Sequence, residues 1–249
     1  MADRMVRRVL EVSIGGAVPE RRPSSFRLRT DRDCHSTIAS LEFPPDADVG
    51  GKGDPVTVHL SADGRRSLLF TGEILSVQDM GSLRKVWLAD GYAKLCNASV
   101  NAAYRKETAT AILKDALDAA GIEKTAITCP DVEVARFSTG TVFADRLIEI
   151  LVGTLAEHGH RGIRFFFDET DTFHFGTSGD AGRNPGETRE FKTGANIVAK
   201  GDGWIETLPL PIRHSTRAVV DGRKLWVRAT ELRVSGTTSR LRLWLSEAA

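Results

Sequence analysis

The chain has 249 residues and a mass of 27.2 kDa, enough for one large domain or two to three small ones. Its 41% hydrophobic residues can fill a sizeable core, and 23 glycines with 9 prolines stay near ordinary globular usage, which disfavours long-range disorder, collagen and coiled coil. With 34 Lys+Arg against 33 Asp+Glu the net charge is +1, so no strong field points to nucleic acid or to a membrane surface.

The first thirty residues are mildly basic, with seven arginines against Asp3, Glu11 and Glu20, the pattern of a solvated strand edge. Charges interrupt their apolar part, which argues against a signal peptide. No segment approaches the roughly 18 consecutive apolar residues of a membrane helix. The most apolar stretch, Leu147 to Ala156, is broken by Glu149, Gly153 and Thr154. Cys34, Cys96 and Cys129 are scattered and lack metal-ligand spacing, which fits synthesis in a reduced cytoplasm.

The first hundred residues read as β. Leu10, Val12 and Ile14 alternate with Val9, Glu11 and Ser13; Phe26 and Leu28 with Arg27 and Arg29; Ala39, Leu41 and Phe43 with Ser40 and Glu42; Val56, Val58 and Leu60 with Thr57 and His59. Each run ends in turn residues (Gly15-Gly16, Pro44-Pro45, Asp63-Gly64), as in an antiparallel sheet with one wet face. Asp63-Gly64 reads as a tight hairpin. Leu68 to Val77 changes its apolar phase around Gly72, which predicts a β-bulge or a barrel corner. Leu83 to Asp90 follows and closes at Asp90-Gly91. About six strands at this spacing predict a small barrel or sandwich.

Composition then shifts. Ala109, Ile112, Leu113, Ala116, Leu117 and Ala120 trace one stripe of a helix, with Thr108 as N-cap and Gly121 just past the end. A second helix is predicted from about Thr141 to His158, with Phe143, Leu147, Ile150, Leu151 and Leu155 on one face. Strand-like runs Ile163 to Phe167 and Thr172 to Phe175 flank the acidic turn Asp168-Glu169-Thr170-Asp171. Residues 176–188 read as a loop. The chain is then β again: Leu225, Val227 and Ala229 alternate with Trp226, Arg228 and Thr230, and Leu241, Leu243 and Leu245 with Arg240, Arg242 and Trp244. Asp221-Gly222 and Ser235-Gly236 punctuate these strands.

No candidate catalytic constellation stands above its structural reading. His158-x-His160 lies at a helix end, where cationic side chains suit the dipole, and no third ligand follows at metal-site spacing. Cys34-His35 is one adjacent pair. Asp168, Glu169 and Asp171 could bind Ca²⁺ or cleave a glycoside, but they sit at a hairpin tip, where solvated acids are expected. There is no G-x-S-x-G elbow, and Gly50-Gly51-Lys52-Gly53 and Gly201-Asp202-Gly203 do not join a strand to a helix in a nucleotide-binding manner. Phe165-Phe166-Phe167 reads as a buried strand. No catalytic residue, cofactor site or metal site is assigned.

The order of elements carries more. A polar-tipped hairpin leads into a strand with Phe70-Thr71-Gly72-Glu73-Ile74. Next come a hairpin ending in Leu88-Ala89-Asp90-Gly91 with Leu95 beyond, a segment ending in Tyr104, and a helix opening at Thr108-Ala109. This arrangement resembles the baseplate hub proteins of phage tails, including the late control D family, and the hub module of contractile injection machines. The "G-x-I" strand corresponds to Gly72 and Ile74, and the "D-G" to Asp90-Gly91. The helix 141–157 with its Phe-rich hairpin looks like the hub's small α+β domain, and residues 212–245 look like its second barrel.

The resemblance implies a mainly β chain with two small antiparallel β-barrels flanking a two-helix α+β domain: residues 1–98, 99–188 and 189–249. It implies a homotrimer in which six barrels form a pseudo-sixfold ring joining the tail tube to the central spike, without a membrane partner or specific nucleic-acid binding, although the lumen could pass DNA or a tape-measure protein. The expected location is the baseplate end of a virion tail, assembled in the bacterial cytoplasm. The chain ends after the second barrel, so spike or enzymatic appendages are expected on separate chains. The contacts expected with neighbours are the strand Leu225 to Leu232, the strand Gly72 to Val77 and the 176–188 loop, while Arg240 and Arg242 could line a lumen. The competing reading is a carbohydrate-active or peptidoglycan-cleaving tail enzyme built on Asp168, Glu169 and Asp171.

Overall fold

The computed structural model describes residues 9–62, 65–177, 188–236 and 238–247. They form two compact units. One is built from the described residues up to Asp90 and again from Thr188, the other from Gly91 to Thr177.

The first unit begins with β1 (Val9–Ile14), β2 (Ser25–Asp31), β3 (Ile38–Phe43), β4 (Pro55–Ala62), β5 (Arg65–Asp79) and β6 (Arg84–Ala89). The second holds α1 (Tyr92–Asn97), β7 (Ser99–Thr108), α2 (Ala109–Ala119), β8 (Thr125–Ile127), β9 (Glu133–Phe143), α3 (Ala144–Glu157), β10 (Ile163–Phe167) and β11 (Phe173–Thr177). The chain then completes the first unit with β12 (Thr188–Phe191), β13 (Ile197–Gly201), β14 (Trp204–Thr207), β15 (Arg217–Val220), β16 (Arg223–Ser235) and β17 (Thr238–Ser246).

The early and late strands of the first unit share one sheet, in the order β1-β4-β5-β6-β3-β2-β16-β17-β14-β13. β15 pairs antiparallel with β16, and β12 lies parallel beside β15. The seam is the antiparallel β2–β16 pair, Ser25↔Ser235 through Asp31↔Ala229. The alternating residues Val12, Phe26, Leu28, Leu41, Phe43, Val56, Val58, Phe70 and Ile74 point into one core together with Phe191, Ile205, Val227, Leu232, Leu241 and Leu243. Period-two alternation therefore puts every odd-phase residue of β2 on the opposite, wet face. Within the core, Thr30 and Thr230 meet hydroxyl to hydroxyl at 2.8 Å, and the buried Arg213 donates through Nη2 to Thr37 Oγ1 at 2.7 Å, so the three hydroxyls are partnered.

The predicted phase change around Gly72 is two register shifts that bracket it, one against β4 at Val58/His59 and one against β6 at Ile74/Ser76. Gly72 itself is there for space: a Cβ would lie 2.1 Å from the Ala89 carbonyl oxygen. A further shift in β16, between Val227 and Ala229, makes Arg228 an extra residue. It corrects the alternation expected for Leu225 to Thr230: beyond it Thr230 joins the core and Ala229 turns to the other face. Asp221 and Gly222 both take positive φ, +48° and +86°, the geometry of a tight two-residue hairpin.

In the second unit, α2 starts at its predicted cap, with the Thr108 hydroxyl accepting from the Ala111 amide at 3.2 Å. Gly121 follows with φ +66°. α3 begins later than predicted. Residues to Phe143 belong to β9, and Phe143 is 53% exposed, so it is not on the buried face; Ile148 is, with Ala144, Leu147, Leu151 and Leu155. The β7–β9 ribbon, paired from Ser99↔Phe143 to Thr108↔Glu133, lies where no strand was predicted. The three-stranded sheet β10-β11-β8 adds Phe165, Phe167, Phe173 and Phe175 to this core. The Asp63-Gly64 turn lies outside the described residues, as does 178–187 of the predicted loop; Gly176 and Thr177 end β11, and Thr188 opens β12. Among the described residues no helix is long and apolar enough to cross a membrane.

Candidate functional site

A chemically distinctive surface is the wet face of the β2–β16–β17–β14 strip. Register alone assembles it. Arg27 lies opposite Arg233, and Arg233 opposite Arg240; one step along, Arg29 lies opposite Glu231, Glu231 opposite Arg242, and Arg242 opposite Glu206. Three adjacent strands thus set three arginines side by side, although like charges facing each other across a sheet are unfavourable.

Glu231 answers that repulsion from below. It is 5% exposed, takes a 2.9 Å bond from Arg233 Nη2 and is paired with Arg27 Nε. Burial by itself would raise its pKa, yet the bonds and charges of Arg233 and Arg27 outweigh that and hold it below the usual carboxylate range. Arg242 reaches Glu206 Oε1 through both Nε (2.9 Å) and Nη2 (2.6 Å), and stacks over Trp204 at 4.4 Å and Trp244 at 5.9 Å. Arg29 lies 6.0 Å from the Trp244 ring and pairs with Asp31 at 3.6 Å. Arg240 donates to the Ser239 carbonyl at 2.9 Å. The carboxylates sit low and the guanidiniums stand out: the Arg27 and Arg233 side chains are 56% and 61% exposed.

The acidic turn is internally committed. Asp168 Oδ1 accepts from the Thr170 amide (2.8 Å), the Thr170 hydroxyl (2.6 Å) and the Thr172 amide (3.1 Å), and Oδ2 meets His174 Nε2 at 2.8 Å. Burial would raise its pKa, but these bonds, led by His174, drive it well below the ordinary value. Asp171, at φ +60°, accepts the Gly91 amide at 2.7 Å, and burial raises its pKa. Each oxygen so described braces the turn or the start of α1.

The "D-G" pair is no surface turn. Asp90 is buried and accepts the Thr37 amide at 2.7 Å. Gly91 stands where a Cβ would press to 2.3 Å from the Phe167 ring. Sequence reasoning had no signal for either role beyond the residue types.

His158 is the α3 C-cap, with Nδ1 2.9 Å from the Thr154 carbonyl oxygen. Cys34 Sγ lies 3.6 Å from the Ser36 hydroxyl. Among the described residues no three His, Cys, Asp or Glu side chains converge as a metal site would need. Leu225 to Leu232 lies inside β16, bonded to β17 on one edge and to β15 and β2 on the other, so only its faces are open. Gly72 to Val77 lies in β5 between β4 and β6, with Leu75 44% exposed at the bulge.

No family model and no curated protein matches this sequence. Solved structures do match its fold. The 43 kDa tail protein of prophage MuSo2 from Shewanella oneidensis superposes with a TM-score of 0.72 at 13% identity, over 97% of each chain. The tail protein from Neisseria meningitidis MC58 gives 0.68 at 13% identity, over 96% of each chain. The Escherichia coli c3393 protein, a component of the type VI secretion system with structural similarity to the T4 tail proteins gp27 and gp5, gives 0.70 at 11% identity over 96% of this chain and 77% of its own. This chain has the tail-protein fold. That is the fold the resemblance to baseplate hubs implied: mainly β, with a small α+β part.

Proposed function

We propose that this chain is a structural baseplate hub of a phage-type tail or related injection machine. Three copies form a ring that joins the tail tube to the central spike. The observation that carries this reading is the end-to-end match to phage tail proteins, covering 97% of both chains in one case.

In this reading the β segments 1–98 and 189–249 serve as two lobes flanking the α+β segment 99–188. Three copies then give six near-equivalent lobes around a closed ring. The wet face bearing Arg240 and Arg242 lines the bore. The role is architectural, at the baseplate end of the tail after assembly in the bacterial cytoplasm, and no step of it is catalytic. The commitment of Asp168 to its own turn and of Asp171 to the Gly91 amide supports that.

The test is the absolute mass by light scattering after size exclusion, alone and with the tail's spike and tube proteins. A mass three times the 27.2 kDa chain, with six lobes in end-on images, is expected. A monomer at every concentration, unchanged by those proteins, would overturn the ring.

A further inference from the structure

We propose that the arginine row Arg27–Arg233–Arg240, exposed at Arg27 and Arg233 and half-buried at Arg240, with Arg29 and Arg242 beside it, is a docking strip for an acidic, extended polypeptide segment of a partner protein. The inference concerns this sheet face and does not depend on the number of copies in an assembly.

Four observations lead to it. The row breaks the local rule against like charges on neighbouring strands, and such breaks are expected where a surface serves binding rather than stability. Glu231 is buried between Arg27 and Arg233, so it holds their stems in place while their outer N–H groups face solvent. A guanidinium carries five donors, and one buried carboxylate shared by two of them leaves most of those donors for a ligand. Spacing gives the third: Arg27 and Arg29, like Arg240 and Arg242, are two residues apart on one strand face, roughly 6.6–6.8 Å. An extended segment with Glu or Asp at alternate positions repeats at the same distance and can pair carboxylates with guanidiniums two-to-two.

The fourth observation separates a protein segment from nucleic acid. Arg242 stacks on Trp204 at 4.4 Å, and Arg242 and Arg29 stand 5.9 and 6.0 Å from the Trp244 ring, so guanidiniums already crowd the rings on which a single strand would stack its bases. The net charge of +1 also supplies no broad basic field of the kind that binds phosphate backbones.

The experiment titrates fluorescein-labelled decaglutamate into the full chain at low and physiological salt, beside single-stranded and duplex DNA of matched charge. Decaglutamate is expected to bind, more weakly as salt rises. Arg240→Glu should weaken it at least about tenfold, and Arg240→Gln by less, with neither variant melting below the parent, since among the described residues Arg240 bonds a neighbouring carbonyl and faces the like charge of Arg233. Arg223→Glu, ten positions from Arg233 on the same strand, should have no effect. The proposal fails if decaglutamate does not bind at low salt, if Arg240→Glu and Arg223→Glu weaken it equally, or if either DNA binds tighter at the same salt. A mass measurement on the same samples reports separately on the ring.

Discussion

Replacing Gly72 by alanine tests whether this sheet is shaped by backbone proximity. The new Cβ would stand 2.1 Å from the Ala89 carbonyl oxygen and 2.7 Å from Phe70 Cζ, whereas carbon–oxygen contacts between strands settle near 3.3–3.6 Å. The Phe70 ring could turn aside, but its surroundings are filled, since it is 1% exposed. The carbonyl cannot turn without disturbing the Glu73↔Ala89 pairing of β5 with β6. Overpacking costs about 1–3 kcal/mol, and an unyielding backbone atom places this case near 3 kcal/mol on that scale. At about 2–4 °C per kcal/mol for a chain of this size, the melting midpoint of the first unit should fall by roughly 6–12 °C. Differential scanning calorimetry reads it directly. Gly153→Ala is the matched control: it lies mid-α3 with nothing within 4 Å of its Cβ position, so alanine should stabilise by about 0.5–1 kcal/mol. If Gly72→Ala melts within about 1 °C of the parent, against that expected shift, the close-approach argument is refuted.

The two acids of the turn should respond in opposite senses. Asp168 is held below its ordinary range, so its contribution to stability is present above its unfolded pKa of about 3.9 and is lost as pH falls below it. Asp168→Asn should lower the urea midpoint at pH 7 by the equivalent of about 1–3 kcal/mol and flatten the acid-side decline; an equally steep decline would count against the assignment. Asp171 is raised by burial, so its charged form is the disfavoured one, and Asp171→Asn, which keeps the acceptor for Gly91 and tolerates positive φ, should be neutral or stabilising at pH 7. Glu231→Gln removes the charge beneath the arginine row. The guanidiniums it leaves behind are more than half exposed, so the loss should be that of charged hydrogen bonds, about 1.5–3 kcal/mol, and because part of it is repulsion among guanidiniums, it should shrink in high salt. A loss independent of salt, measured by urea unfolding, would contradict that.

Local chemistry settled much of this chain before any tertiary contact. Alternation fixed which residues of β1 to β4 face the core, because a strand's side chains have only two sides to choose between. Thr108, Gly121 and the stripe Ile112, Leu113, Ala116, Leu117 fixed α2, because capping and a 3.6-residue period are properties of one segment. The β7–β9 ribbon left little trace: its inward residues include the small Ala102, a register shift falls at Ala102/Ala103, and its partners lie 25 to 44 residues apart, from Thr108↔Glu133 to Ser99↔Phe143. Register and long-range pairing required the folded sheet. Arg27 and Arg233 are ordinary alternating arginines in sequence, and only the β2–β16 seam makes them neighbours above Glu231. Gly72 and Gly91 read as turn or bulge residues in one dimension. Their reason is the Ala89 carbonyl in one case and the Phe167 ring in the other, and that is a demand for space which only a packed structure creates.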